Sequence, residues 1–227
     1  VKKVVCKGAG AGVLKDIDLM VRLTKAVVNS TNLPVTVKTR LGWDSHTINI
    51  DEVAQRLQDT GIKALTIHAR TRAQMYKGEA DWEHISRIKN NPNIEIPIFG
   101  NGDVDSPEKA LEYRQKYDCD GIMIGRGAIG YPWIFNEIKH FFETGEILPA
   151  PTVNDRLTAV RQHAEWSAEW KGERLGLIEM RQHYSNYFRG VPHFKEWRKK
   201  FLEIFTLEEM DALIHDAKQF YDELSTA

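Results

Sequence analysis

The sequence predicts an α/β fold: the C-terminal half of an eight-stranded parallel barrel, made of four βα units, followed by an all-helical module. Three observations predict it. Four short apolar runs before residue 150 alternate with amphipathic helical stretches, as in a parallel sheet with right-handed crossovers. Polar and glycine-rich residues gather where each run ends. Functional residues at the carboxyl ends of successive strands are the habit of a barrel, whereas a doubly wound sheet concentrates them at one switch point. After Pro149-Ala-Pro151 the strand runs stop and only helical patterns follow.

The strand runs are Pro34-Val-Thr-Val-Lys38, Ala64-Leu-Thr-Ile-His68, Ile96-Pro-Ile-Phe99 and Gly121-Ile-Met-Ile-Gly125. Each is nearly continuous in apolar character, as strands buried on both faces are. Helices are predicted over 16–28, with Ile17, Met20, Thr24 and Val27 on one face, and over 49–60, 81–89 and 106–117. Ser106 as N-cap and Pro107 at the first helical position mark the last of these starts. Beyond the Pro-Ala-Pro linker, helices are predicted over 155–170, 175–189, 192–205 and 207–224. The domain organisation expected is a partial barrel over 1–148 and a helical domain over 152–227.

Composition sets the class. The chain has 227 residues, is 42% hydrophobic and 28% charged, and carries 31 Lys+Arg against 32 Asp+Glu, which excludes a disordered chain. No apolar run approaches the roughly 20 residues of a membrane span. Cys6 and Cys119 form neither a disulfide framework nor a CxxC pair, which fits a reducing cytoplasm. No metal-ligand spacing stands out. The first residue is Val1, and the expectation is a chain that begins inside a longer polypeptide. Charge is unevenly spread: residues 171–200 carry a net +5 and 201–227 a net −6.

The last two strand ends read as a phosphate site. Phe99-Gly-Asn-Gly-Asp103 and Ile124-Gly-Arg-Gly127 let backbone N–H groups approach an anion, and Arg126 adds a guanidinium for bidentate contact. The same glycines also suit plain tight turns. Lys38, at the end of an apolar strand, can stabilise negative charge growing on an electron-accepting ring, or can snorkel out of the barrel mouth. His68 holds the matching place one strand on, as a ligand contact or a structural histidine. Gly8-Ala-Gly-Ala-Gly12 has the wrong spacing and context for a dinucleotide fingerprint, and Cys6 reads as a small loop residue rather than a catalytic thiol. In 180–200, cations alternate with aromatics. That suits phosphate contact with base stacking, and equally a solvated basic face over an aromatic core.

Taken together, Val1-Lys-Lys-Val-Val-Cys-Lys-Gly-Ala-Gly10, Val37-Lys-Thr-Arg-Leu-Gly-Trp43, His68-Ala-Arg-Thr-Arg-Ala-Gln-Met-Tyr-Lys-Gly78, Gly100-Asn-Gly-Asp103 and Gly121-Ile-Met-Ile-Gly-Arg-Gly127 resemble the tRNA-dihydrouridine synthases, near the bacterial B-type branch. The resemblance implies an FMN-bearing TIM barrel followed by a helical tRNA-binding domain. It implies reduction of uridine to 5,6-dihydrouridine in tRNA, with NADPH or NADH as reductant. It implies that Lys38 and His68 contact the flavin and that Asn101, Gly102, Asp103, Gly125 and Arg126 hold its phosphate end. Tyr76 and Arg40 would line the uridine pocket, and Arg181, Arg189, Arg198 and Lys199 would meet tRNA. In the family, the segment like Val1-Lys-Lys-Val-Val5 follows Gly-Cys-Pro, whose Cys is the catalytic acid. The expectation is therefore a C-terminal portion lacking the first half of the barrel, with no catalytic residue in this chain and no turnover alone. Two alternatives are another FMN- or phosphate-binding barrel oxidoreductase and a non-catalytic tRNA-binding remnant.

Overall fold

A computed structural model describes residues 2–226, with side chains for 3–225. The element order is α1 (Lys2–Val5), a 3-10 turn (Gly10–Lys15), α2 (Ile17–Asn29), β1 (Thr36–Arg40), α3 (Ile50–Gln58), β2 (Ala64–His68), α4 (Glu83–Lys89), β3 (Ile98–Asn101), α5 (Pro107–Tyr117), β4 (Gly121–Met123) and a 3-10 turn (Arg126–Ala128). Then come α6 (Ile134–Thr144), α7 (Val153–Lys171), α8 (Glu173–Met180), α9 (Tyr184–Tyr187), α10 (Phe194–Phe201) and α11 (Leu207–Thr226). Two compact units divide between Gly127 and Ala128, so Pro149-Ala-Pro151 lies inside the second unit rather than between the two.

In the first unit the four strands are parallel and lie in the order β1-β2-β3-β4. Sequential order without a reversal is that of a barrel segment and has no switch point. The helices cover one face. Ile50, Val53, Ala54 and Leu57 of α3 and Ile85 and Ile88 of α4 are buried, together with Leu65, Ile67 and Ile98 of the strands. Ser106 caps α5 by accepting from the Lys109 N–H at 3.2 Å, with Pro107 opening the helix, as the sequence predicts. The expected apolar face of α2 is only partly buried: Met20 is inside, whereas Val27 and the neighbouring Leu23 are exposed. This helix precedes β1, an edge of the sheet, and among the described residues no further strand lies beyond that edge.

Three strands differ in extent from the sequence pattern. The first and third begin two residues later than their apolar runs, at Thr36 and Ile98, because Pro34 and Pro97 have no N–H to give a ladder. They also run further. Arg40 pairs with His68, His68 with Asn101, and Asn101 with Met123, so residues expected in loops belong to the strands themselves. The fourth stops at Met123.

Side chains alternate across the sheet. Trp82, at the start of α4, is 1% exposed and fixes which face is which. A Cβ on Gly100 would lie 1.9 Å from its Cζ3 atom, so glycine is required where the ring crosses β3. The indole packs edge-on to Tyr113 and stacks with Tyr117 at centroid distances of 4.8 and 5.7 Å. Its Nε1–H donates to the Gly102 carbonyl at 3.0 Å.

The second unit is helical throughout its described residues. After Pro151, Thr152 and Asp155 form a reciprocal capping box that starts α7. The core gathers Leu157, Val160 and Ala164 of α7, Leu177 and Met180 of α8, Tyr184, Tyr187 and Phe188, and Phe194, Trp197 and Phe201 of α10 with Met210, Leu213, Ile214, Ala217 and Tyr221 of α11. The helix expected over 175–189 is two helices, broken at residues 181–183 where no proline or glycine marks it, and α6 has no counterpart among the expected helices.

Gly100→Ala tests the packing of the first unit. Forcing a methyl into the Trp82 ring should cost about 1–3 kcal/mol or more, as overpacking does, read as a lower denaturation midpoint with the slope unchanged.

Candidate functional site

The face of the sheet opposite the helices carries Lys38 and Arg40 from β1, Thr66 and His68 from β2, Phe99 and Asn101 from β3, and Met123 from β4, by strand alternation and register. Polar groups crowd its carboxyl end. Asn101 is buried, and its side-chain N–H donates to the Met123 carbonyl at 2.8 Å. That bond ties β3 to β4 just before Gly125 and Arg126.

His68 is 6% exposed. Burial, with the charges of Arg40, Lys38 and Arg70, pulls its pKa down to about 4 against a weak opposing pull from Asp103. Its imidazole is therefore neutral near pH 7. Desolvation and the Arg40 charge also lower Lys38 from the ordinary lysine value.

Two loops beyond the strands are held by buried charge. Arg70, two residues past His68, is 2% exposed. Its guanidinium forms a two-pronged ion pair with Asp103, Nη1 to Oδ1 at 2.7 Å and Nη2 to Oδ2 at 2.6 Å. It also donates to the Lys77 and Gly78 carbonyls. Asp103 sits at φ 59° and accepts further bonds from the Ala80 N–H at 2.8 Å and Arg126 Nη2 at 3.1 Å. Burial raises the Asp103 pKa, but the Arg70 and Ala80 hydrogen bonds and the two guanidinium charges outweigh it and hold the carboxyl below its usual range.

Arg126 keeps about half its side chain in solvent, and its guanidinium lies 4.4 Å from the centre of the Tyr76 ring. That ring is exposed and 6.4 Å from the His68 ring. Arg40 donates from Nη1 to the Thr71 and Met75 carbonyls at 3.0 and 3.2 Å, which pins the loop that delivers Tyr76. The structure thus gathers Lys38, Arg40, His68, Tyr76, Asn101, Gly102, Asp103, Gly125 and Arg126 at one end of one sheet. Arg70 and Trp82 also shape this end; the sequence pattern puts Arg70 in the polar cluster after the second strand without giving it a role, and does not single out Trp82. The partner that gives Arg70 its role lies 33 residues away in the chain.

The basic residues of the 180–200 stretch divide into two sets. Arg189, Lys195, Arg198 and Lys199 are exposed, and no ion pair engages them among the described residues. Arg181 is half-buried over the Phe205 ring at 4.8 Å, and Lys200 lies over Trp197 at 4.4 Å. Tyr184, Tyr187 and Trp197 are buried in the core, so these aromatics support the basic face and are not presented for stacking. Among the described residues no cluster of ligands could hold a metal ion and no helix is long and apolar enough to cross a membrane.

His68 offers a direct check of this electrostatic arrangement. An unfolded histidine titrates near 6.5 and the folded one near 4, so between these values the unfolded chain binds more protons. Stability from this group is complete above about pH 6.5 and is lost as pH falls toward 4. A ring-proton NMR titration should give a midpoint near 4, and His68→Gln should flatten that part of the stability–pH curve; a midpoint near 6.5 would refute the buried, cation-flanked placement.

The family model for dihydrouridine synthases matches residues 1–223. The chain is 42% identical over 217 residues to the probable tRNA-dihydrouridine synthase 1 of Synechocystis sp., covering 96% of this chain and 60% of that protein. It is 40% identical over 222 residues to tRNA-dihydrouridine synthase B of Pseudomonas aeruginosa, covering 98% and 65%. With the probable tRNA-dihydrouridine synthase of Rickettsia conorii it shares 40% over 197 residues, covering 87% and 59%. The chain thus spans about three-fifths of the length of these relatives. On this match across nearly its whole length, the chain belongs to the dihydrouridine synthase family.

Proposed function

We propose that the whole protein reduces uridine in tRNA to 5,6-dihydrouridine, as an FMN-dependent enzyme of the cytoplasm that draws electrons from NADPH or NADH. Family membership and the names of the relatives supply the substrate class. The observation that carries the flavin part is the strand-end cluster: a cation, a neutral imidazole, a buried amide and a half-exposed guanidinium along one sheet end. Its donors suit an anionic, planar cofactor. Arg126 gives one of its five N–H groups to Asp103 and retains others for a phosphate. Gly102, Asp103 and Gly125 bring backbone N–H groups to the same strand ends. The Asp103 carboxylate would repel a phosphate if bare, but Arg70 and Arg126 neutralise it.

When bound, FMN supplies hydride chemistry to the uracil ring. This chain's residues bind and polarise. Lys38 places positive charge beside the ring system where negative charge develops. His68, neutral near pH 7, hydrogen-bonds without adding a second fixed charge. Tyr76, held out by the Arg40-pinned loop, faces the target uridine, and Arg40 borders the same pocket. Arg126 holds the phosphate end, with Asn101 fixing the strand that presents it. In the second unit Arg181, Arg189, Arg198 and Lys199 hold tRNA phosphates. No residue of this chain is proposed as the acid that protonates the uracil; Cys6, exposed in the turn after α1, is not assigned that role.

Two measurements test the reading. Arg126→Ala should weaken FMN binding by about 1.5–3 kcal/mol, the worth of a hydrogen bond to a charged group, read from flavin occupancy or fluorescence. Unchanged occupancy would remove Arg126 from the site. Arg198→Ala with Lys199→Ala should weaken tRNA binding and flatten its salt dependence, by roughly 0.7–0.9 log–log units for each phosphate no longer neutralised, while flavin binding stays intact. An unchanged slope would reduce these residues to a solvated face.

A further inference from the structure

We propose that a cleft between α7 and α8 in the helical unit is a stacking site for one unpaired nucleobase of an RNA. This rests on the tRNA reading above and extends it to a place that the basic segment does not cover. The starting observation is exposure. Trp166 and Trp170 are 60% and 81% exposed and stand four residues apart, on one face of α7. Large rings left this far in water cost solvation free energy, and the core of the unit, a few residues away, has not absorbed them.

The cleft they border is built by close helix packing. Gly172 turns the chain at φ 82° between α7 and α8. A Cβ on Gly176 would lie 2.6 Å from the Ser167 carbonyl atoms, so its absence lets α8 lie directly on α7. Ser167 donates its hydroxyl to the Gly176 carbonyl at 3.1 Å across this seam. The resulting cavity of about 190 Å³ is lined by His163, Trp166, Ser167, Trp170 and His183, with Lys171, Glu179 and Met180. That is below the roughly 300–1,000 Å³ of pockets for drug-sized ligands and suits one planar ring system.

The lining reads a base rather than an aliphatic group. The two imidazoles lie 5.0 Å apart. Burial lowers both pKa values, helped at His163 by the charge of His183, so neutral His183 carries one donor and one acceptor, and His163 keeps its Nε2 for the edge of a base. Tyr187 holds His163 through a 3.1 Å contact from its hydroxyl to Nδ1. Lys171, paired with Glu179, lies 4.6 Å from the centre of the Trp170 ring, and the rest of that ring is in water. The polyanion expected alongside is matched by charge: residues 171–200 carry a net +5, with Lys171 and Arg181 flanking α8 and Arg174 in its first turn.

The test uses the full chain and an unmodified tRNA transcript. Trp170→Ala should weaken binding about tenfold, equivalent to 1.4 kcal/mol, within the range for loss of one stacked base. Trp166→Ala should act in the same direction, and Trp170→Phe should recover part of the loss. The salt slope should stay as in the parent, since no cation is removed, and quenching of tryptophan fluorescence by tRNA should shrink in the alanine variants. Both side chains are exposed, so thermal midpoints should not fall. If both alanine variants bind tRNA with parental affinity while the parent shows salt-dependent binding, the stacking site is overturned and the tRNA reading stands. If the parent itself does not bind tRNA, both fall. If the variants keep tRNA affinity but lose adsorption to anionic lipid vesicles or a tendency to self-associate, the rings serve a membrane or a second copy, and the proposal is likewise overturned.

Discussion

Arg70 sits in a place where a lone guanidinium would be intolerable: 2% exposed and just beyond a strand whose last three residues before His68 are buried. Asp103 makes it tolerable. Removing one partner of such a pair leaves an uncompensated charge, at a cost of about 3–5 kcal/mol. The pair therefore fixes more than itself. Through Arg70 it holds the carbonyls of residues 77 and 78; through the Asp103 carboxylate it holds the Ala80 N–H; and through Arg126 it fixes the turn after β4. Three consecutive strand ends share one carboxylate. The same carboxylate keeps Asp103 at a positive φ, a conformation uncommon for residues other than glycine.

Trp82 couples that charge cluster to the hydrophobic core. Its ring fills the space above Gly100, and its N–H holds the carbonyl of Gly102, the residue beside Asp103. Core packing and site geometry are thus linked through one side chain. Polar residues in strand positions, normally a weakness in a buried sheet, are tolerated here because each has a defined partner or an open face. Arg40 satisfies the Thr71 and Met75 carbonyls, and Asn101 satisfies that of Met123.

Much of this architecture is legible in the sequence. The alternation of β-branched runs with helices points to four parallel strands in order, and Ser106-Pro107 marks a helix start to the residue. Lys38, Arg40, His68, Asn101, Asp103 and Arg126 can be placed at strand ends from position, whereas Tyr76 enters only through the family resemblance. What is not legible depends on distance in the chain. The first and third apolar runs stop at Lys38 and Phe99, but their ladders continue to Arg40 and Asn101, because parallel pairing is set by neighbours and not by each strand's own hydrophobicity. Arg70 and Asp103 look like loop charges because their burial exists only once β2 and β3 pair. The division of units after Gly127 is masked by Pro149-Ala-Pro151, which is a conspicuous breaker but not a boundary. Gly130 shows why: a Cβ there would lie 2.5–2.6 Å from Asn186 and the Tyr187 nitrogen, so the turn before α6 is already seated on α9.

The helical unit separates its aromatics by a rule that sequence spacing cannot reveal. Tyr184, Tyr187, Phe188, Trp197 and Phe201 all turn inward, where ring pairs such as Phe188 and Phe194 stack at 4.1 Å. The cations interleaved with them, Arg189, Lys195, Arg198 and Lys199, are left outside. A segment that reads as alternating stackers and phosphate binders is thus a basic surface supported by an aromatic core. The large rings left exposed lie instead on α7, where Trp166 and Trp170 occupy ordinary helical positions and differ from core residues only in what packs above them. Hydrophobic periodicity places a ring on a helix face, but whether that face is covered is decided by the neighbouring helix. Here the close seat of α8 at Gly176 leaves a cleft beside the two rings instead of a cover over them.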